Sequence, residues 1–168
     1  MRIDELGLNR FIEGLVAGQA GLCAAMLDHY LSRQTPVIDL YKYLFQPALY
    51  RIGELWKQNQ ISVSTEHMAT AIIEGLMSEL YPRLLTAPRR SLKAVIAFIE
   101  GELHQVGGKM VADVFVMNGW DVHYLGTNTP TSSKPLPKTW ITNWEKKLDN
   151  EVMSPSIRSI ISPGVRAL

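Results

Sequence analysis

The hydrophobic pattern of this chain changes its period once, and that change limits the folds that the chain can adopt. Through residues 1–85 the apolar side chains recur at the spacing of one helix face, beginning with Leu8 and Phe11. After the segment 86–91, the run 92–99 is short and mostly apolar, which is typical of a strand buried in a parallel sheet. The sequence therefore predicts a helical part followed by an α/β part.

The helical part contains four amphipathic stretches joined by short connections. The third begins near Pro36, with Pro47 expected to kink it. The fourth begins at Ser62 or Ser64, each of which is a suitable N-cap. Because short connections between amphipathic helices are typical of a bundle, we predict a four-helix bundle over residues 1–86.

The α/β part reads as one strand–helix–strand unit. Its helix carries Met110 and Val114 and ends at Asn118, and a second strand covers residues 122–125. Residues 131–168 then carry four prolines and only a weak hydrophobic pattern, so we expect them to form an atypical tail.

Composition narrows the function classes. The formal net charge is +1, so no strong field favours nucleic acid or an anionic membrane. No apolar run approaches the roughly 20 residues that a membrane span needs. The first residues lack the basic start and apolar stretch of a signal peptide, and a single cysteine, Cys23, excludes an internal disulfide. We expect a cytoplasmic protein with no direct contact to nucleic acid or membrane.

The loop after the first predicted strand carries one candidate site. It contains Glu102 and His104, followed by Gly107 and Gly108. A neutral imidazole at the carboxyl end of a strand can bind a transition metal, while a nearby carboxylate holds its other ring nitrogen. The glycines would let a bulky ligand approach the start of the next helix. On spacing alone, an ordinary surface loop with a glycine turn explains the pattern better.

The connection between the third and fourth helices carries a second candidate site. Trp56 ends one helix, and Glu66 and His67 lie in the first turn of the next. Val63 shares a helix face with His67, four residues further on. The group offers an aromatic plane, an aliphatic contact and two polar side chains to a flat ligand. The alternative is that Trp56 packs in the core, Glu66 complements the helix dipole and His67 lies on the surface.

Taken together, the two groups resemble a known family. Residues 8–130 resemble a cobalamin-binding module, in which a four-helix cap precedes a Rossmann-like parallel α/β corrinoid domain, here residues 91–130. The segment 102–107 is similar to that family's motif of an acidic residue, a histidine two positions later and a glycine three positions after it. The resemblance implies that His104 binds cobalt from the lower face of the corrin. The further contacts that we predict are Glu102, Gln105, Gly107 and Gly126.

The spacing of the second group indicates a subgroup. Trp56, nine intervening residues and then Glu66-His67 resemble the signature of the cobalamin-dependent photoreceptor regulators. That resemblance implies that Trp56 lies over the upper face near an adenosyl group, with Val63, Glu66 and His67 around it. The cofactor would then be adenosylcobalamin rather than methylcobalamin. We expect a sensory or regulatory module that responds to light through the cobalt–carbon bond, and not an enzyme.

Two departures from the family matter. The photoreceptor regulators carry a DNA-binding domain before the cap, which this chain does not show, so direct DNA binding has no support. The later strands of the corrinoid sheet are not recognisable after Pro130, and residues 131–168 read as a truncated or frameshifted end. A single strand–helix–strand unit exposes a sheet edge. We expect a second copy of the chain or a regulatory protein to cover it.

Two other functions remain open. A corrinoid methyl carrier that serves a methyltransferase would share the same fold and cofactor. A remnant that no longer binds cobalamin would follow if the missing strands are essential.

Overall fold

The computed structural model describes residues 3–99 and 105–129, in which helices predominate and two strands pair in parallel. The chain divides into two compact units after Pro82. The helical elements are α1 (Glu5–Val16), α2 (Ala20–Ser32), α3 (Val37–Leu40), a π-helical segment (Tyr41–Phe45), α4 (Gln46–Lys57), α5 (Val63–Leu84) and α6 (Val106–Met117). The strands are β1 (Lys93–Ile99) and β2 (Asp121–Thr129). The predicted change from helices to a parallel α/β unit is confirmed, whereas the four-helix cap stays a prediction.

Local signals in the sequence define the first helix. The Asp4 side chain accepts the Gly7 backbone N–H at 2.9 Å and so caps the start of α1. The apolar face of α1 buries Phe11 and Leu15 completely. The chain leaves the helix through Gly18, whose φ of +68° is one that glycine adopts without strain.

The third predicted helix is a continuous helical run that contains a π-helical segment. The Gln46 N–H bonds to the Tyr41 carbonyl, five residues back, instead of four. The segment lies directly before Pro47, which has no N–H for the Tyr43 carbonyl and whose ring would crowd that carbonyl in a regular α-helix. Widening the preceding turn is one way in which a helix accommodates such a residue.

The core of the N-terminal unit forms where α1 meets this run. Leu44 and Phe45 of the π-helical segment are fully buried, and the Phe45 ring stacks on Phe11 with centroids 5.8 Å apart. The buried face of α5 carries Ala69, Ile73, Leu76, Met77, Leu80 and Leu84. Helical spacing of apolar residues therefore marks the buried faces, as expected.

Ser62 is the residue that starts α5. Its hydroxyl accepts the Thr65 backbone N–H at 3.1 Å, which is the N-cap hydrogen bond. Of the two predicted N-caps, Ser62 is therefore correct and Ser64 lies inside the helix. A turn of only five residues separates α4 from α5, between Lys57 and Val63.

The second unit is built around the parallel pair β1–β2, with α6 as the connection. Lys93 pairs with Asp121, but the register shifts further along, where Ala97 pairs with Gly126. Leu125 is left without a partner in β1, and Gly126 has a φ of +80°. This irregularity is a β-bulge, which explains why a glycine occurs within the strand.

The segment before β1 is held against the end of α6. The Arg90 N–H bonds to the Gly119 carbonyl at 2.7 Å, and the Asp121 N–H to the Leu92 carbonyl at 2.9 Å. Gly119 has a φ of +81°, and a side chain there would run into the carbonyl oxygen of Pro88.

Several sequence predictions fall beyond these residues. Glu102, His104 and the tail 131–168 lie outside the described residues. Within the described ranges, no helix is both long enough and apolar enough to cross a membrane.

Candidate functional site

The α4–α5 connection exposes apolar side chains that the core does not use. Trp56, near the end of α4, is 41% exposed, and Val63, the first residue of α5, is 49% exposed. The turn between them is tight, with Asn59 at a φ of 54° and the Gln60 N–H bonded to the Leu55 carbonyl. Trp56 is therefore not a core residue, and its indole remains available to a ligand.

Glu66 and His67 form a hydrogen-bonded pair on the first turns of α5. His67 Nδ1 and Glu66 Oε2 are 2.5 Å apart, and the Thr70 hydroxyl donates to Glu66 Oε1 at 3.1 Å. The Glu66 side chain is only 18% exposed, whereas that of His67 is 76% exposed. Glu66 therefore accepts hydrogen bonds on both oxygens, and most of the His67 side chain is exposed to solvent.

Val63 and His67 lie four residues apart on α5 and so share one helix face. In the predicted site, Val63 would supply the aliphatic contact and His67 the polar one. All four residues of this group belong to the N-terminal unit: Trp56, Val63, Glu66 and His67.

The start of α6 carries the second group of predicted contacts. Gln105 is exposed at the N-cap position, and Gly107 is exposed with open space where a side chain would stand. The Tyr124 hydroxyl donates to the Gln105 carbonyl at 2.9 Å, which ties this helix start to β2. The predicted metal ligand, His104, and its neighbour Glu102 precede this point and lie outside the described residues.

Gly126 lies at the bulge of β2. Open space surrounds the position that a side chain would take, so its positive φ, rather than close packing, requires glycine there. Among the described residues, neither Gly107 nor Gly126 has a neighbouring atom where a side chain would stand.

Three further residues make side-chain contacts in or near these groups, and the sequence did not indicate a role for them. Thr70 holds Glu66, Tyr124 holds Gln105, and Lys109 pairs with the buried Asp113 at 3.5 Å. Thr70 and Lys109 could have been found by spacing, because each lies four residues from its partner on a helix. Tyr124 could not, since its bond joins residues 19 positions apart.

A cleft of about 400 Å³ lies elsewhere in the N-terminal unit, between α1 and α2. It contains none of the predicted contacts. Its lining residues are Asp4, Leu6, Gly7, Arg10, Leu22, Ala25, Met26, His29 and Tyr30. The cleft is therefore distinct from the predicted site. In the described residues, the predicted site consists of residues on exposed surface rather than in a cleft.

Comparison with known proteins identifies related sequences. Residues 8–81, slightly less than half of the chain, match the family model of the B12 binding domain. Methionine synthase of Mycobacterium tuberculosis is 21% identical over 126 residues, which are 74% of this chain and 10% of that enzyme. The chain therefore spans about a tenth of this relative.

A solved structure shows a similar fold. The monomethylamine corrinoid protein of Methanosarcina barkeri aligns with a TM-score of 0.66 and 17% identity, over 74% of this chain and 59% of that one. Identity this low indicates likeness of fold alone. Together with the match to the B12 binding domain, the likeness supports a cobalamin-binding module.

Proposed function

We propose that this chain binds cobalamin and is not itself an enzyme. The observation that carries the proposal is the solvent-facing group of Trp56, Val63 and His67 at the α4–α5 connection. This group lies within residues 8–81, the part that matches the B12 binding domain. Exposed apolar side chains beside paired polar ones suit a large ligand of mixed polarity.

Each predicted residue has a distinct task in this proposal. His104 would supply the cobalt ligand, and Glu102 would hold its other ring nitrogen. Trp56 and Val63 would contact the cofactor through their exposed apolar surfaces. Bound cobalamin supplies a reactive cobalt–carbon bond, which the chain itself has no means to form. The remaining contacts are Glu66, His67, Gln105, Gly107 and Gly126.

The role that we favour is a sensory or regulatory one. Its support is the spacing of Trp56 and Glu66-His67, which resembles the photoreceptor regulators. In this role the chain holds adenosylcobalamin in the dark, and light changes its association with a second copy or with a regulatory protein.

A methyl-carrier role fits about as well. Its support is the fold likeness to the monomethylamine corrinoid protein, together with the sequence similarity to methionine synthase. In this role the chain would hold methylcobalamin and present it to a methyltransferase.

One experiment distinguishes the two roles. The full chain is loaded in the dark with adenosylcobalamin or methylcobalamin, and its absorption spectrum and assembly state are recorded before and after illumination. A sensor binds the adenosyl form more tightly and changes its assembly state in light. Preference for the methyl form and turnover with a methyl donor and a methyltransferase would reject the sensory role.

The assignment of His104 has its own test. His104→Ala should alter the cobalt absorption spectrum of the bound cofactor, because the ligand below the metal is lost. His29→Ala is the matched control, since His29 is exposed on α2 and lies outside both predicted groups. Identical spectra of the two variants would contradict the assignment.

A further inference from the structure

The Glu66 carboxylate is held from two sides, and Thr70 supplies one of them. Thr70 lies one turn after Glu66 on α5. A helical threonine often donates its hydroxyl to the backbone carbonyl four residues back. Here the hydroxyl donates instead to the side-chain oxygen Oε1 of that residue, at 3.1 Å. The Thr70 hydroxyl therefore orients a carboxylate.

That orientation matters because neighbouring residues on a helix do not face each other. His67 Nδ1 nevertheless lies 2.5 Å from Glu66 Oε2. With Oε1 fixed by Thr70, Oε2 is directed toward the imidazole. The small exposure of the Glu66 side chain, 18%, limits competition from water for these bonds.

The pair decides which nitrogen of a neutral His67 carries the proton. A carboxylate only accepts hydrogen bonds, so the ring proton belongs on Nδ1. Nε2 then carries a lone pair, and 76% of the side chain is exposed to solvent. His67 thus presents an acceptor at the surface, on the same face of α5 as Val63.

We propose that Thr70 is a positioning residue for this site. It holds Glu66 so that His67 keeps its proton on Nδ1 and offers Nε2 to a hydrogen-bond donor, an amide N–H or a hydroxyl group, of bound cobalamin. The last part of this inference rests on the proposed function, whereas the tautomer of His67 does not.

The tautomer is tested without cofactor. Nitrogen-15 NMR of the imidazole rings is recorded on the full chain at a pH where histidine is neutral, with His67→Gln to assign the signals. The wild type should carry the proton mainly on Nδ1. Thr70→Val should shift it toward Nε2, the nitrogen that carries the proton in an unconstrained neutral histidine side chain. An unchanged tautomer in Thr70→Val would overturn the proposal.

Two further variants separate the hydroxyl from general effects on the helix. Thr70→Ser keeps the hydroxyl and should keep the wild-type tautomer. Ser78→Ala removes another hydroxyl of α5, one that donates to the Glu74 carbonyl, and should also leave His67 unchanged. A shift in Ser78→Ala equal to that in Thr70→Val would show a general effect and contradict the positioning role.

The part that concerns the ligand is tested by titrating the same variants with adenosylcobalamin in the dark. Thr70→Val should weaken binding roughly fivefold, the loss expected for one hydrogen bond, and Thr70→Ser should bind like wild type. Equal affinity of Thr70→Val and wild type would overturn this part. If the wild type itself does not bind, the proposed function fails, while the tautomer still decides the role of Thr70.

Discussion

At the scale of single residues, Gly7 and Tyr30 show how closely α1 and α2 are fitted. Tyr30 is only 5% exposed, and a side chain at Gly7 would run into its hydroxyl oxygen. The next ring atom of Tyr30 would stand 3.7 Å away, an ordinary contact distance. A side chain at position 7 would therefore overlap the Tyr30 hydroxyl and would also press against Asp4 Oδ1, at 3.0 Å.

We predict that Gly7→Ala destabilises the wild type by about 1–2 kcal/mol through this clash. In a Tyr30→Phe background the same change should destabilise the chain less, because the contact with the hydroxyl is gone and alanine favours the helix, while the contact with Asp4 Oδ1 remains. Urea denaturation followed by circular dichroism of the helices measures both. An equal loss in the two backgrounds would refute this explanation.

Tyr30 also predicts an alkaline dependence of stability. Burial, with a smaller contribution from the Asp4 carboxylate, raises the pKa of Tyr30 above its ordinary value of 10.0. The folded chain then holds the phenol proton more tightly than the unfolded chain. The corresponding stability is complete below pH 10 and is lost as the pH rises toward the raised pKa.

The check compares wild type with Tyr30→Phe by urea denaturation across this range. The difference in their free energies of unfolding should be constant from about pH 7 to about pH 9 and should then move against the wild type. A difference that stays constant to about pH 11 would mean that Tyr30 titrates alike in both states.

Substitution of Trp56 tests whether the exposed surface at the α4–α5 connection binds a ligand. Trp56→Ala should leave the chain folded but should weaken cobalamin binding about tenfold, because the residue is 41% exposed and that surface is available to a ligand. Tyr50→Ala, which removes another exposed aromatic ring from α4, should affect neither property. Titration with adenosylcobalamin measures the affinities, and equal affinities of both variants would exclude Trp56 from the site.

Spacing along the sequence identified Trp56, Val63, Glu66 and His67, and the structure shows that all but Glu66 expose much of their surface. Sequence alone could not separate an exposed Trp56 from a buried one, because the same helical spacing serves both. It also could not assign the tautomer of His67, which depends on the hydrogen bonds of its neighbour. The role of His104 stays a prediction.

At the scale of elements, two glycines with nearly equal backbone angles serve the α/β unit differently. Gly119 and Gly126 have φ values of +81° and +80°. A side chain at Gly119 would meet the Pro88 carbonyl oxygen, whereas open space surrounds Gly126. The Arg90 N–H bond to the Gly119 carbonyl keeps the two segments together, so the contact is not easily relieved.

We predict that Gly126→Ala destabilises this unit by about 1–2 kcal/mol, the cost of a left-handed conformation for alanine. Gly119→Ala should cost at least about 1 kcal/mol more, because steric overlap adds to the same strain. Amide hydrogen exchange of β1 and β2 reports both values. Equal costs would show that the segment before β1 moves aside freely.

The period of the hydrophobic pattern predicted most of these elements. It placed β1 and the helices well, because burial of one face determines the spacing of apolar residues. The π-helical segment before Pro47 was not predicted, since a π turn depends on how the helix absorbs a missing N–H. The length of β2 was underestimated, because Gly126 ends the apolar pattern but lies within the bulged strand.

At the scale of the whole molecule, the chain combines a helical unit and an α/β unit, divided after Pro82. Of the predicted contacts, Trp56 and His67 belong to the first unit, and Gly107 and Gly126 belong to the second. Sequence could predict such a division from the change in period. The prediction of cobalamin as the cofactor rested only on the family resemblance, because neither group of residues specifies a corrin by its spacing alone.

The central claim is that the chain binds cobalamin, and a dark titration of the full chain with adenosylcobalamin tests it most directly. The absorption spectrum and co-elution on gel filtration are recorded together. We expect saturable binding with one cofactor for each chain and a spectrum that changes in His104→Ala. Absence of both a spectral change and co-elution in the wild type would contradict the account and favour a remnant that no longer binds the cofactor.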